Sequence, residues 1–419
     1  MLTQNRRHRP NKGHDVARSR IKIGSSCIWE AFLNRKAGFI TMLFLLALLA
    51  RFLFFLFYFH GQIPLAGDTG TYVVLAKALL GGEGFSTGGS PHAFRLPLYP
   101  IFLAVHYQVF GTSNRPIVVT QFLISSLVVV LIFLLARWSI GERAAYVASC
   151  MAIVHPNLLL WVPFVLTETL SLFLLIAAFY AFVRFSATSE WAVLGLGSLF
   201  LGLASLCRPE NVVFFLAVLL WLGLAQEKNR NSMSYVLLHS VVFLAVLSPW
   251  LIRNYLLRGR LILTTQTNSI LTYSTIHWER FRDVGQTGSP HETNEAIVAF
   301  IVQCPTRYLG YLWDRFRIFW LMPFRFDYSL WHKILNISIY PILSNFAILF
   351  ALFRWLQGKT NQKIFSLFFF LLGAKTLLIM FTIVNTWDIG RFHLPIDPLL
   401  IILIAYAVDV LVISRLRGC

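Results

Sequence analysis

The chain has 419 residues, of which 57% are hydrophobic and only 13% are charged. Soluble domains carry about 25% charged residues, so this much apolar surface excludes a water-soluble globule and makes lipid part of the solvent. The formal charge of +18 does not indicate nucleic acid: the basic residues concentrate in short segments between apolar runs, where they orient membrane helices, and no recognition module accompanies them.

Residues 1–36 are polar and basic, holding Arg6, Arg7, Arg9, Lys12, Arg18, Arg20, Lys22, Arg35 and Lys36. The stretch is similar to a signal n-region, but the apolar run after it is too long for a cleaved h-region. It reads as a cytoplasmic tail followed by a signal-anchor helix. A spanning helix needs about 20 apolar residues. The candidate runs are 37–59, 117–136, 144–160, 169–183, 191–206, 212–225, 235–252, 337–353, 364–384 and 395–413. A further stretch, 96–110, reads better as a helix that enters the membrane surface and stays on one side.

With the basic tail inside, the short inner connections contain Arg137 and Arg143, Arg184, Lys228 and Arg230, Arg354, Lys359 and Lys363, and finally Arg415 and Arg417. Every one is basic, as the positive-inside rule requires. Two long segments, 60–116 and 253–336, fall outside, and residues 415–419 form a short cytoplasmic end. The expected architecture is an all-α polytopic membrane protein of about ten transmembrane helices spread over residues 37–414. If 96–110 crossed as well, the count would be eleven, and the charge pattern of all later loops would invert.

The outer face then collects the polar groups. Asp68, in GDTGTYVVLAKALLGGEGF, lies just beyond the first span, before an expected short amphipathic helix at 71–80 that Gly81, Gly82 and Gly84 break. It reads either as a general base beside the membrane or as a helix N-cap. Glu168 opens the fourth span at its outer end, where an acid also pairs favourably with the helix dipole. Arg208 and Glu210 in CRPEN form at least a local ion pair, and Pro209 suits a helix start. Arg253 follows the seventh span, and Asp388, Arg391 and His393 lie between the last two.

Guanidinium groups grip phosphate bidentately, and a carboxylate takes a proton from a nucleophile, so the set suits an anionic lipid-phosphate leaving group. Arg51 and Lys375 fall within spans, where charge is costly. Arg51 is expected to snorkel; Lys375 is expected to face the interior and has no assigned role. The five cysteines show no CxxC pair or regular spacing, so they indicate neither a disulfide framework nor a zinc site; a Cys207–Cys304 bridge remains open.

Five stretches in order, GDTGTYVVLAKALLGGEGF with RLPLYPIFLAVHYQVFG, HPNLLLWVPFVLTETL, GLASLCRPEN, SPWLIRNYLLRG and GRFHLPIDPLLIILIAYA, carry a resemblance. The chain resembles the polyprenol-phosphate-dependent glycosyltransferases of the C-type superfamily (GT-C), in the branch of the protein mannosyltransferases and aminoarabinose transferases. That resemblance implies a GT-C bundle with juxtamembrane helices in the first outer loop. It makes Asp68 the catalytic carboxylate, places Glu168 in the acceptor or sugar pocket, and assigns Arg391, Arg253 and Arg208 to the carrier phosphate. Some relatives bind a divalent metal, for which Glu83 and His277 are weak equivalents. The adjacent-acid pair of the protein mannosyltransferases is missing, because Thr69 follows Asp68.

The implied activity is inverting transfer of a sugar from a polyprenyl-phosphate donor to a lipid, glycan or protein acceptor outside a bacterial inner membrane, with both termini cytoplasmic and no nucleic-acid partner. The alternative is a transporter or flippase of a lipid-linked saccharide. Such proteins often show internal repeats and polar groups near the midplane, whereas here the polar groups gather at one surface and no clear repeat is visible.

Overall fold

The computed structural model describes residues 37–64, 66–224, 232–265, 294–321, 339–382 and 389–413. The basic tail 1–36, the end 415–419 and His277 lie outside the described residues. The first helix, α1, is Ala37–Tyr58. It is followed by α2 (Gly67–Leu80), a two-stranded hairpin (Ser86–Thr87 with Ser90–Pro91), α3 (Leu98–Phe110), α4 (Arg115–Ile140), α5 (Glu142–Val154), α6 (Pro156–Leu160), α7 (Glu168–Thr188) and α8 (Trp191–Cys207). After a 3-10 turn (Pro209–Asn211) come α9 (Val212–Leu224), α10 (Ser232–Arg258), α11 (Asn294–Gln303), α12 (Pro305–Leu321), α13 (Tyr340–Leu356), α14 (Gln362–Thr382), α15 (Ile389–His393) and α16 (Asp397–Val408).

This is an all-α membrane bundle. Among the described residues, α1, α4, α7, α10 and α14 are long and apolar enough to cross a bilayer, and α3, α8, α13 and the Pro209–Leu224 stretch are shorter apolar helices. With 13 residues, α3 falls short of the roughly 20 that a crossing needs. It packs on α2 instead.

Three boundaries depart from the sequence reading. The run 144–160 is not one rod: proline at 156 lacks an N–H and disfavours helical backbone at the residue before it, so the chain breaks at His155, which is extended. The helix in the first outer loop begins at Gly67, one turn earlier than 71, and places Asp68 inside its first turn. Asp68 is therefore not the N-cap, a position held by Ala66. In the last span, α16 starts at Asp397 and passes into a wider π turn at Asp409–Ile413.

Arg51 does not snorkel. It is buried, donating to Ser125 Oγ at 3.0 Å and to the carbonyls of Ala47 and Ile153. The preceding turn of its own helix supplies one carbonyl and the broken end of α5 another, so the cation is solvated by protein rather than by headgroups.

Close helix approach in lipid relies on small residues, because burial of apolar surface adds little when the surroundings are equally apolar. A Cβ at Gly197 would lie 2.7 Å from the Phe182 ring of α7, and one at Gly202 would lie 2.8 Å from Val246 Cβ of α10. These two glycines let α8 seat between its neighbours. Gly202→Val is expected to destabilise the bundle by about 2 kcal/mol, read as a lowered Tm in lipid nanodiscs; an unchanged Tm would show that the α8–α10 contact yields freely.

Candidate active site

The site forms where irregular backbone meets helix ends. Residues 161–167, between α6 and α7, are not helical, and lipid would leave their carbonyls unsatisfied. Side chains supply the missing bonds. Gln121 of α4 donates to the Val162 and Phe164 carbonyls at 2.7 Å each, Thr69 of α2 donates to Val165 O at 3.3 Å, and the Cys207 thiol reaches Thr167 O at 3.6 Å. Tyr99 of α3 in turn donates to Gln121 Oε1 at 2.9 Å. The segment ends at Glu168, the first residue of α7. The turn after α8 is tied to the same helix, since Asn211 donates to Ser171 Oγ at 2.8 Å, and this brings Arg208 beside Glu168.

Arg391 arrives from the short α15. Asp397, buried in the first turn of α16, accepts from Asn157 at 2.8 Å and from Tyr340 at 3.0 Å, and meets His393 Nδ1 at 2.5 Å. Asn157 also donates to Gly390 O at 3.2 Å. The backbone carrying Arg391 is thus pinned on both sides of that residue.

Together these elements build a ladder of alternating charge. Arg95 Nη2 meets Asp68 Oδ1 at 2.5 Å, and Arg391 Nη2 meets Asp68 Oδ2 at 3.3 Å. Arg391 Nε contacts Glu168 Oε1. Arg208 Nη1 meets the same oxygen at 2.6 Å, while its Nε meets Glu210 Oε1 at 2.9 Å. Lys375 Nζ closes the far end at 3.2 Å from Glu210 Oε2. Among the described residues, four cations alternate with three carboxylates, one positive charge more than negative. The ends differ in access: the Asp68 side chain is 31% exposed and that of Lys375 is fully buried.

Of the residues that the sequence singles out, Asp68, Glu168, Arg208 and Arg391 come together, and Arg253 stands apart. Arg253 donates to the carbonyls of Phe85 and His92 at 2.8 and 3.0 Å and lies over the Trp250 ring at 4.7 Å. It clamps the hairpin, whose two-residue turn at Gly88 and Gly89 has positive φ at both positions, a geometry that suits glycine. The hairpin leads into Arg95, whose N–H donates to His92 Nε2 at 3.0 Å. Burial, then Arg95 and Arg253, hold His92 below the ordinary histidine value, so near neutrality it is an uncharged acceptor for that bond.

Glu168 is 1% exposed and flanks a cavity of about 10 Å³ shared with Ser171, Arg208, Arg391 and Leu394. Among the described residues, that volume suits about one water. Glu83 lies in an open groove of about 420 Å³ with Phe85 and Arg253. The second metal candidate, His277, lies outside the described residues; among the described residues no three His, Cys, Asp or Glu side chains form a group able to hold a metal ion. Cys150, Cys207 and Cys304 are free thiols. A separate apolar groove of about 660 Å³ runs between α1 and α4, bordered by Leu45, Phe52, Phe55 and Phe122, with Arg115 in its wall.

Sequence reasoning missed two members of the ladder. Arg95 lies in the quoted RLPLYP stretch, but nothing in its spacing shows that it reaches back 27 residues to Asp68. Lys375 announced itself only as an expensive charge within a span.

Residues 91–252 match the family model described as dolichyl-phosphate-mannose-protein mannosyltransferase. The fold matches the oligosaccharyltransferase of Archaeoglobus fulgidus in its apo form, with a TM-score of 0.57 and 14% identity over 91% of this chain and 51% of that one. A second structure of that enzyme, AglB in complex with an inhibitory peptide and a dolichol-phosphate, gives 0.58 and 14% over the same shares. ArnT from Cupriavidus metallidurans, bound to undecaprenyl phosphate, gives 0.57 and 14% over 91% of this chain and 62% of its own. No curated protein matches this chain in sequence. The chain shares the fold of these solved structures. It spans about half the length of the archaeal enzyme.

The ladder carries its own test. Glu168→Gln removes the carboxylate between two guanidinium groups, and breaking a buried pair in this way destabilises by about 3 kcal/mol. A clear fall in Tm in nanodiscs is expected. A Tm equal to that of wild type would mean that Arg208 and Arg391 do not depend on Glu168.

Proposed function

We propose that the chain is an inverting glycosyltransferase that moves a sugar from a polyprenyl-phosphate carrier to an acceptor at the extracytoplasmic face of a bacterial inner membrane. The observation that carries this reading is a partly exposed carboxylate, Asp68, held between two guanidinium groups at the open end of a ladder with one surplus positive charge. A sugar-phosphate diester carries one negative charge, so binding it near Arg95 and Arg391 balances that surplus. Neighbouring folds whose structures hold dolichol-phosphate or undecaprenyl phosphate support the same chemistry, and the apolar groove between α1 and α4 suits a lipid chain.

In the reaction, the acceptor nucleophile attacks the anomeric carbon as the bond from that carbon to the phosphate oxygen breaks. The electron pair leaves on the phosphate, and the nucleophile's proton passes to Asp68. Arg95 and Arg391 occupy both oxygens of the Asp68 carboxylate. Donor binding draws Arg95 and Arg391 onto the phosphate and releases Asp68 to meet the acceptor. The same guanidinium groups then stabilise the charge that grows on the departing phosphate, which lowers the barrier because they bind the transition state more tightly than the donor. Buried Glu168 holds Arg391 and Arg208 in place. The acceptor is a lipid, a glycan or a protein segment.

The test is sugar release from a panel of polyprenyl-phosphate sugars by purified protein in lipid, with membrane extract as acceptor source. Asp68→Asn is expected to abolish transfer while carrier binding survives; turnover at the wild-type rate would remove Asp68 as the base. Arg391→Ala is expected to weaken carrier binding and turnover together, by about 100-fold in kcat/KM; unchanged carrier affinity would count against its role.

A further inference from the structure

We propose that Lys375, buried within α14, is a positioning residue for the transfer reaction and acts on the carrier phosphate through the charge ladder. The inference rests on the proposed function for its chemistry and on the ladder for its geometry. Lys375 touches neither Asp68 nor Arg391; its one ion pair is with Glu210 Oε2 at 3.2 Å. Glu210 gives its other oxygen to Arg208 Nε at 2.9 Å, and Arg208 gives Nη1 to Glu168 at 2.6 Å. Glu168 and Asp68 then share Arg391.

Each carboxylate in such a row divides its attraction between two cations. With Lys375 present, Glu210 is partly neutralised from below, and Arg208 can lend its charge to Glu168. Glu168 then draws less on Arg391, which is left to serve Asp68 and the phosphate. Removal of Lys375 reverses each step: Glu210 takes Arg208, Glu168 takes Arg391, and the ladder falls from one excess positive charge to none. The residue lies in lipid-spanning sequence, where a charge without a partner is expensive, and the carboxylate it meets belongs to the turn that carries Arg208. A lysine that only closed a packing gap would not need an acid there.

The substitutions have opposite signs, which separates electrostatic positioning from simple damage. Lys375→Met removes the surplus charge. Glu210→Gln adds to it, while glutamine Oε1 still accepts from Arg208. The double variant, Lys375→Met with Glu210→Gln, returns the ladder to one positive charge in excess. Binding of undecaprenyl phosphate would be measured in nanodiscs, together with donor KM, kcat and Tm, for wild type and all three variants. Lys375→Met is expected to weaken carrier binding about tenfold, the effect of one unit charge acting through partly buried surroundings. Glu210→Gln is expected not to weaken it, and the double variant to lie within about threefold of wild type.

Carrier binding by Lys375→Met equal to that of wild type overturns the proposal, and so does a double variant as weak as Lys375→Met alone. Equal weakening by both single variants also overturns it, since that is the mark of structural damage. If wild type binds no undecaprenyl phosphate and turns over no donor, it is the proposed function that fails. The Tm cycle then decides the ladder: a double variant more stable than the sum of the single losses sustains the coupling of Lys375 to Glu210, and strict additivity ends it.

Discussion

Charge inside a membrane protein is costly unless protein groups compensate it, and the row from Arg95 to Lys375 does so by pairing opposite charges over seven residues drawn from separate parts of the chain. Asp68 belongs to α2, Arg95 to the segment after the hairpin, Glu168 to the start of α7, Arg208 and Glu210 to the turn after α8, Lys375 to α14 and Arg391 to α15. Removing a buried member breaks one or two ion pairs at once, which costs several kcal/mol. The helix ends around the site are therefore held by electrostatics as well as by packing, and the site cannot drift without breaking the row.

The row is also graded in access. Asp68, at one end, is partly open, whereas Glu168 in the middle and Lys375 at the other end are closed off. Two carboxylates that look alike in sequence thus take different work. One is open to solvent; the other is buried between two arginines.

Irregular backbone supports this arrangement. A broken helix at His155, a non-helical run at 161–167 and the five-residue α15 all lie where regular helix would have carried Glu168 and Arg391 elsewhere. Such segments persist at membrane depth only when protein groups replace the missing backbone bonds. Gln121, Thr69, Asn157 and Asp397 supply or anchor them here. These polar side chains are buried for that reason, although none of them need touch a substrate.

Much of the fold was legible in the sequence, because hydropathy and the sidedness of basic loops are one-dimensional signals that lipid enforces directly. The apolar runs became helices near their expected ends, and the motifs that carried the resemblance led to the right fold. Asp68, Glu168, Arg208 and Arg391 were visible as charges near helix termini. The misreadings share one cause: a sequence shows how far along the chain a charge lies and not which way it faces. Arg51 turned inward to Ser125 rather than outward to headgroups. Arg95 and Lys375 closed the two ends of a row whose members are up to 323 residues apart. Composition and periodicity determined that the chain is a helical membrane protein with its polar groups gathered at helix ends. Only tertiary structure decided which of those groups meet, because charge pairing acts across space between segments that the chain order keeps far apart.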